Sequence, residues 1–192
     1  ENIFKAVTQM ADAQSHGMVM FIDFSGSMNG IINDVLKQTL ILAAFCKRAQ
    51  IPFDVYSFTS GCARKREMVS QMKDLEMDSS EVIIRNMLSS KMTTPEYRRC
   101  YKDILLVATL GPYAGEVRRN FPRGDFDLGG TPLVQTASIA RHILREFKDN
   151  HNIQKVTAIF LTDGDGSCPY SYYDNNSYCE KYGKGRYGGW SN

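Results

Sequence analysis

Asp23, Ser25 and Ser27 stand at alternate positions in the segment Asp23-Phe24-Ser25-Gly26-Ser27-Met28. Alternate residues in a tight turn can aim a carboxylate and two hydroxyls at one point. Hard oxygen donors of this kind suit Mg²⁺, Mn²⁺ or Ca²⁺ rather than zinc. Gly26 lets the turn close. Two further oxygen donors stand in matching contexts. Thr131 follows Gly129-Gly130 and precedes Pro132, at a loop tip ahead of a helix, and Asp163 closes an apolar run as Asp23 does. Each also has an ordinary explanation. Ser25 and Ser27 could cap the helix that begins at Ile31, and Thr131 could cap the next one. Asp163 could belong to a turn before Gly164. Their joint occurrence, each after a strand or before a helix, favours a shared cation site on Asp23, Ser25, Ser27, Thr131 and Asp163. Asp165 adds a neighbouring carboxylate, which reads better as a polar loop residue than as a partner of the site.

The elements that must position these residues follow from periodicity. Met18-Val-Met-Phe-Ile-Asp23 reads as a buried parallel strand with Asp23 at its C-terminal end. Ile31 to Ala49 reads as a helix, with Ile32, Val35, Leu36, Leu40, Ala43 and Ala44 at helical spacing and Lys47 and Arg48 in its last turn. Pro52 ends it, and Phe53 to Phe58 is a second strand. Strand, helix, strand implies a parallel sheet. In open sheets of this kind, ligands bind beyond the carboxyl ends of the strands. A helix from Leu133 to about Lys148 and a strand from Lys155 to Leu161 restore the same order before Asp163.

Between Gly61 and Gly129 helical signals dominate, at Glu67 to Met77, Ser80 to Leu88 and Pro95 to Leu110. Ser79 and Ser80 are candidate caps for the second helix, and Thr94-Pro95 the cap and first position of the third. The stretch is rich in base: Arg64, Lys65, Arg66, Arg85, Lys91, Arg98, Arg99 and Lys102. Solvated helix faces explain most such charges, and a surface for an anionic partner is the alternative. Beyond Gly166 the composition turns to Tyr, Gly, Ser and Asn, which reads as a loop or an unfinished end at 167–192.

The chain of 192 residues, 43% hydrophobic, suits one domain over 1–192 with a helical basic insertion at 61–129. A net charge of +2 gives no global signal for nucleic acid. No apolar run reaches the roughly 18 residues of a membrane span. Glu1 in place of an initiator Met suggests a processed chain or an excerpt, and no signal-peptide pattern follows it. The five cysteines, Cys46, Cys62, Cys100, Cys168 and Cys179, contain no Cys-x-x-Cys pair. They are expected to be reduced thiols in a cytoplasmic protein; pairing of Cys168 with Cys179 is the alternative for an exported one.

Asp23-Phe24-Ser25-Gly26-Ser27-Met28, Gly130-Thr131-Pro132-Leu133 and Thr162-Asp163-Gly164, in that order, resemble the three segments of the metal-ion-dependent adhesion site of von Willebrand factor A (VWA) domains. The resemblance implies a doubly wound, mostly parallel, Rossmann-like α/β fold. It also implies Mg²⁺, or Mn²⁺ or Ca²⁺, on Asp23, Ser25, Ser27, Thr131 and Asp163. The pattern is closest to the VWA subunit of cobalt chelatases and to similar proteins of tailed phages, over roughly Gly17 to Gly166. It covers the basic stretch, which resembles the insertion found there. These relatives work with a MoxR-type AAA+ ATPase, so an AAA+ partner is implied, in the host cytoplasm or the virion if the chain is phage-encoded. The tail departs from the family: a full VWA sheet needs a further strand and helix after the third segment, and Ser167 to Asn192 shows no obvious apolar strand.

A cation held from one side keeps open positions that a partner's Asp or Glu can fill. The first expectation is therefore a metal-dependent protein-binding module. A component of a metal chelatase or hydrolase is the second, and a nucleic-acid adaptor the third. Hydrolysis would need a general base, and none of His16, His142 and His151 stands near the motifs; no catalytic residue is assigned.

Overall fold

β1 (His16–Asp23) is the strand around which the rest is arranged. The computed structural model describes residues 15–60, 82–110, 126 and 128–164. β1 pairs in parallel with β2 (Phe53–Ser60) on one side and with β4 (Lys155–Leu161) on the other. β3 (Val82–Ser89) lies antiparallel beyond β2, giving the order β3-β2-β1-β4. The described residues thus form a mixed, open α/β sheet with three α-helices: α1 (Ile32–Arg48), α2 (Thr94–Thr109) and α3 (Leu133–His151).

An unbroken apolar run makes β1 because both of its faces are covered. Met20 and Ile22 pack with Leu36, Leu40 and Ala43 of α1 and Ile104 and Val107 of α2. Val19 and Phe21 point the other way, into a second cluster with Ala140 and Phe147 of α3. Alternation along a strand sends successive side chains to opposite faces, so one run of residues serves two cores.

The strand Lys155–Leu161 has the expected bounds, and the first helix begins one residue later than expected, behind a 3-10 turn at Ser27–Gly30. The expected helix from Ser80 to Leu88 is overturned, since Val82–Ser89 is β3. Val82-Ile83-Ile84 is a β-branched run, stiff at χ1 and suited to a pleated surface. The expected cap of the next helix shifts by one residue. Thr93, not Thr94, is the N-cap, and it forms a capping box with Glu96. The Thr93 backbone N–H and hydroxyl both donate to Glu96 Oε2, at 3.0 and 2.7 Å. These bonds hold the Glu96 carboxyl below its usual range. The expected helix Glu67 to Met77, the caps Ser79 and Ser80, Asp165 and the tail 167–192 lie outside the described residues.

Among the described residues, no helix is long and apolar enough to cross a membrane. Cys46, buried, and Cys100, half-buried, are free thiols; Cys62, Cys168 and Cys179 fall outside the described residues.

Candidate metal centre

Asp23 ends β1 and is wholly buried. Its Oδ2 accepts a 2.8 Å hydrogen bond from the Thr162 hydroxyl. Its Oδ1 is buried and has no hydrogen-bond partner. Burial pushes the Asp23 carboxyl up from its usual range, against hydrogen bonding from Thr162 and Ser25; the nearby charge of Asp163 adds to the rise. A buried carboxylate with one idle oxygen is costly unless a cation meets it.

Ser25 is 1% exposed, and its Oγ lies 3.0 Å from Ser27 Oγ. Ser27 Oγ in turn donates to Asp163 Oδ1 at 3.0 Å. A hydroxyl has one proton; that of Ser27 goes to Asp163, while Ser25 faces both Ser27 and the Asp23 carboxyl. The three groups form a relay, Ser25 to Ser27 to Asp163, that ends on an exposed carboxylate. The ordinary explanations for these serines fall away, because neither the 3-10 turn nor α1 has a side-chain cap.

Parallel pairing explains why residues far apart in sequence meet. Ile22 lies opposite Leu161, so the next residues, Asp23 and Thr162, leave the sheet side by side. The Thr131 loop arrives by a different route. Gly129 N–H donates to Phe24 O and Gly26 N–H to Gly129 O, both at 2.8 Å. Gly130 exchanges backbone bonds with Ser60 at the end of β2, at 3.3 and 3.4 Å. Segment 128–130 is thus threaded between the ends of β1 and β2. A Cβ on Gly129 would run into the Ser60 carbonyl, and one on Gly130 into the Ser60 side chain. Close approach of backbone requires glycine at 129, whereas the Ser60 hydroxyl opposite Gly130 can turn away. Thr131 is the next residue, and Pro132, not Thr131, is the N-cap of α3.

The structure therefore joins Ser25, Ser27 and Asp163 in one hydrogen-bonded group, pairs Asp23 with Thr162 beside it, and seats the Thr131 loop at the ends of β1 and β2. Thr162 is the residue that sequence reasoning did not assign; its signal was its place one before Asp163 at a strand end. The donor set fits a divalent cation. It offers two carboxylates and three hydroxyls, all hard oxygens, and the partnerless Asp23 Oδ1 is the atom such an ion would satisfy. His16 begins β1, at the end opposite Asp23, and His142 and His151 are on α3.

Compared with known proteins, the chain matches no family model, no curated protein and no solved structure at significance. Its functional reading rests on the residues above.

A second polar cavity, of about 200 Å³, lies between β2 and the last turns of α3, where Asp54, Tyr56, Lys91, Glu146 and His151 converge. Tyr56 donates to Asp54 Oδ2 at 3.2 Å, while Asp54 Oδ1 is buried without a partner. Burial pushes the Asp54 carboxyl up and the Tyr56 hydroxyl up to about 12. A carboxyl raised in the folded state contributes most to stability below the ordinary carboxylate range. That contribution is lost as pH rises through the raised value. The stability difference between Asp54→Asn and the parent is therefore expected to shift in favour of the variant between about pH 3 and pH 7. Urea unfolding across that range reads it, and a difference independent of pH would refute the assignment.

Proposed function

We propose that the loops at the C-terminal ends of β1 and β4, with the Thr131 loop, hold a divalent cation and present it to a carboxylate of a partner protein. Mg²⁺ is the first candidate ion and Mn²⁺ or Ca²⁺ the alternatives. The ligands are Asp23, Ser25, Ser27, Thr131 and Asp163. The observation that carries this reading is the buried, partnerless Asp23 Oδ1 beside the Ser25–Ser27–Asp163 relay. The ion supplies positive charge with open coordination positions. The chain's own residues do the rest. Asp23 is buried and is held in orientation by Thr162, while exposed Asp163 lies at the solvent side where a partner arrives.

The resemblance of the motifs to the adhesion site of VWA domains supports the same reading. A parallel core with helices against both faces and one antiparallel edge strand is compatible with a doubly wound, VWA-type sheet. On that likeness the partner is a MoxR-type AAA+ ATPase, and the chain acts as a subunit that docks rather than one that turns over substrate. No histidine stands at these loops among the described residues, so the hydrolase reading gains no support from the geometry.

Partner binding is expected to be lost in EDTA and restored by Mg²⁺ or Mn²⁺. Thr131→Ala should weaken it while leaving the fold intact, since its hydroxyl caps no helix. The loss should reach a few kcal/mol if the partner carboxylate is desolvated at the contact. Pull-downs from lysate with and without chelator, followed by titration of the retained protein, measure this. Retention that ignores the chelator would sink the proposal.

A further inference from the structure

The last turn of α1 lies against the first turns of α2, and between them runs a groove of about 350 Å³. Its floor is Ala44, Tyr97, Tyr101 and the aliphatic stems of its rim. The rim is Lys47, Arg48, Arg98 and Lys102, and no carboxylate lines it. Lys47 Nζ sits 3.4 Å above the Tyr97 ring, and the Tyr97 and Tyr101 rings stack at 5.9 Å. Cation–π attraction and stacking hold this arrangement in place. None of the four rim cations is ion-paired among the described residues.

The groove has an apolar continuation. Ile41 and Phe45 precede Arg48 by seven and three residues, on the same face of α1. They are 63% and 56% exposed. Leu105, three residues past Lys102 on α2, is 41% exposed. Large apolar side chains this open, beside a rim of one charge sign, mark an interaction surface.

We propose that the α1–α2 groove docks an acidic segment of a partner protein anchored by apolar side chains. Charge complementarity supplies the acidic character of the occupant, and Ile41, Phe45 and Leu105 supply the reason for its apolar anchors. Single-stranded nucleic acid fits less well. Its bases need an open aromatic face, and Tyr97 is 8% exposed with Lys47 already over its ring. The groove is also separate from the candidate metal centre. That centre lies at the start of α1 and the groove at its end, 17 residues and roughly 25 Å away.

Fluorescence anisotropy on the full chain tests this with three labelled probes. One is a peptide of repeated Glu-Glu-Leu-Glu-Glu-Phe, the second replaces its Leu and Phe by Gly, and the third is a 20-nucleotide oligothymidylate. The first probe is expected to bind most tightly, in EDTA as in Mg²⁺, and to weaken at high salt. Arg98→Glu with Lys102→Glu should weaken it at least tenfold, and Phe45→Ser several-fold. All these positions are exposed, and circular dichroism checks the fold. Equal binding of the Gly peptide would overturn the apolar anchoring. Tighter binding of oligothymidylate, lost in the charge reversal, would make the groove a nucleic-acid surface instead. Binding of the first peptide that vanishes in EDTA would move it to the metal centre, and no binding at all would end the proposal.

Discussion

Asp23→Asn is expected to raise the thermal midpoint of the metal-free protein and to abolish its response to Mg²⁺. In the parent, a wholly buried carboxylate leaves Oδ1 without a partner. A buried unsatisfied polar group costs about 1–3 kcal/mol, and a charged one more. Asn removes the charge and keeps an oxygen to accept from Thr162. A gain of about 1 kcal/mol corresponds to roughly 2–4 °C in a domain of this size. Added ion reverses the order. At a hundredfold excess over its dissociation constant, a ligand bound only by the folded state adds about 2.7 kcal/mol. The parent should then melt above the variant. Calorimetric scans of both proteins in EDTA and in Mg²⁺ should show the two stabilities crossing. A variant less stable than the parent in EDTA, or a parent blind to the ion, would remove the metal centre as proposed. The crossing is the signature of a residue kept for binding at a cost in stability.

Gly129→Ala is expected to be the most damaging single-methyl change at the site. The added Cβ meets the Ser60 carbonyl oxygen, and Thr59 Oγ1 at 2.7 Å. Thr59 Oγ1 is itself tied to Phe24 O at 2.9 Å, and the Ser60 carbonyl is backbone. Neither contact can be relieved by turning a free side chain. Overpacking of this kind costs about 1–3 kcal/mol. It acts on the bonds from Gly129 to Phe24 and Gly26, so the Thr131 loop should lift from the strand ends. Metal affinity should fall at least tenfold alongside the stability. Gly30→Ala is the control, since a Cβ there meets nothing within 4 Å; a change within about 0.5 kcal/mol is expected. Urea melts and Mg²⁺ titrations of both variants decide the matter. Normal metal binding by Gly129→Ala would show that the threaded segment does not position the site.

Much of this arrangement could be read from the chain. The apolar run ending in Asp23, the helix stopped before Pro52 and the run ending before Asp163 each carry a strong local signal. β3 did not, because Val82, Ile83, Ile84, Met87 and Leu88 fit either a helix face or a buried strand. The decision was made by pairing with β2, a partner whose backbone no local pattern describes. The alternate spacing of Asp23, Ser25 and Ser27 was legible as a candidate site. The role of Thr162 was not, since it depends on the register that sets Ile22 against Leu161. Nor was the threading of 128–130, which follows from backbone bonds to Phe24, Gly26 and Ser60. The basic residues show a similar limit. Sequence grouped Arg98 and Lys102 with their neighbours in 61–129, whereas the groove joins them to Lys47 and Arg48 of α1.

The bond from Thr162 to Asp23 closes a loop of 139 residues, and that from Ser27 to Asp163 one of 136. Closing such loops carries an entropic penalty that grows slowly with length but is met before any contact returns it. β4 must find β1 across nearly the whole described chain, with α1, β2, β3, α2 and α3 in between. No fragment and no folding intermediate that lacks either β1 or β4 can display the complete oxygen cluster, because its halves come from the ends of those two strands. If the cluster binds an ion as proposed, binding competence reports that β4 has joined β1. A partner that recognises the loaded centre would sort finished molecules from unfinished ones, with no separate inspection step.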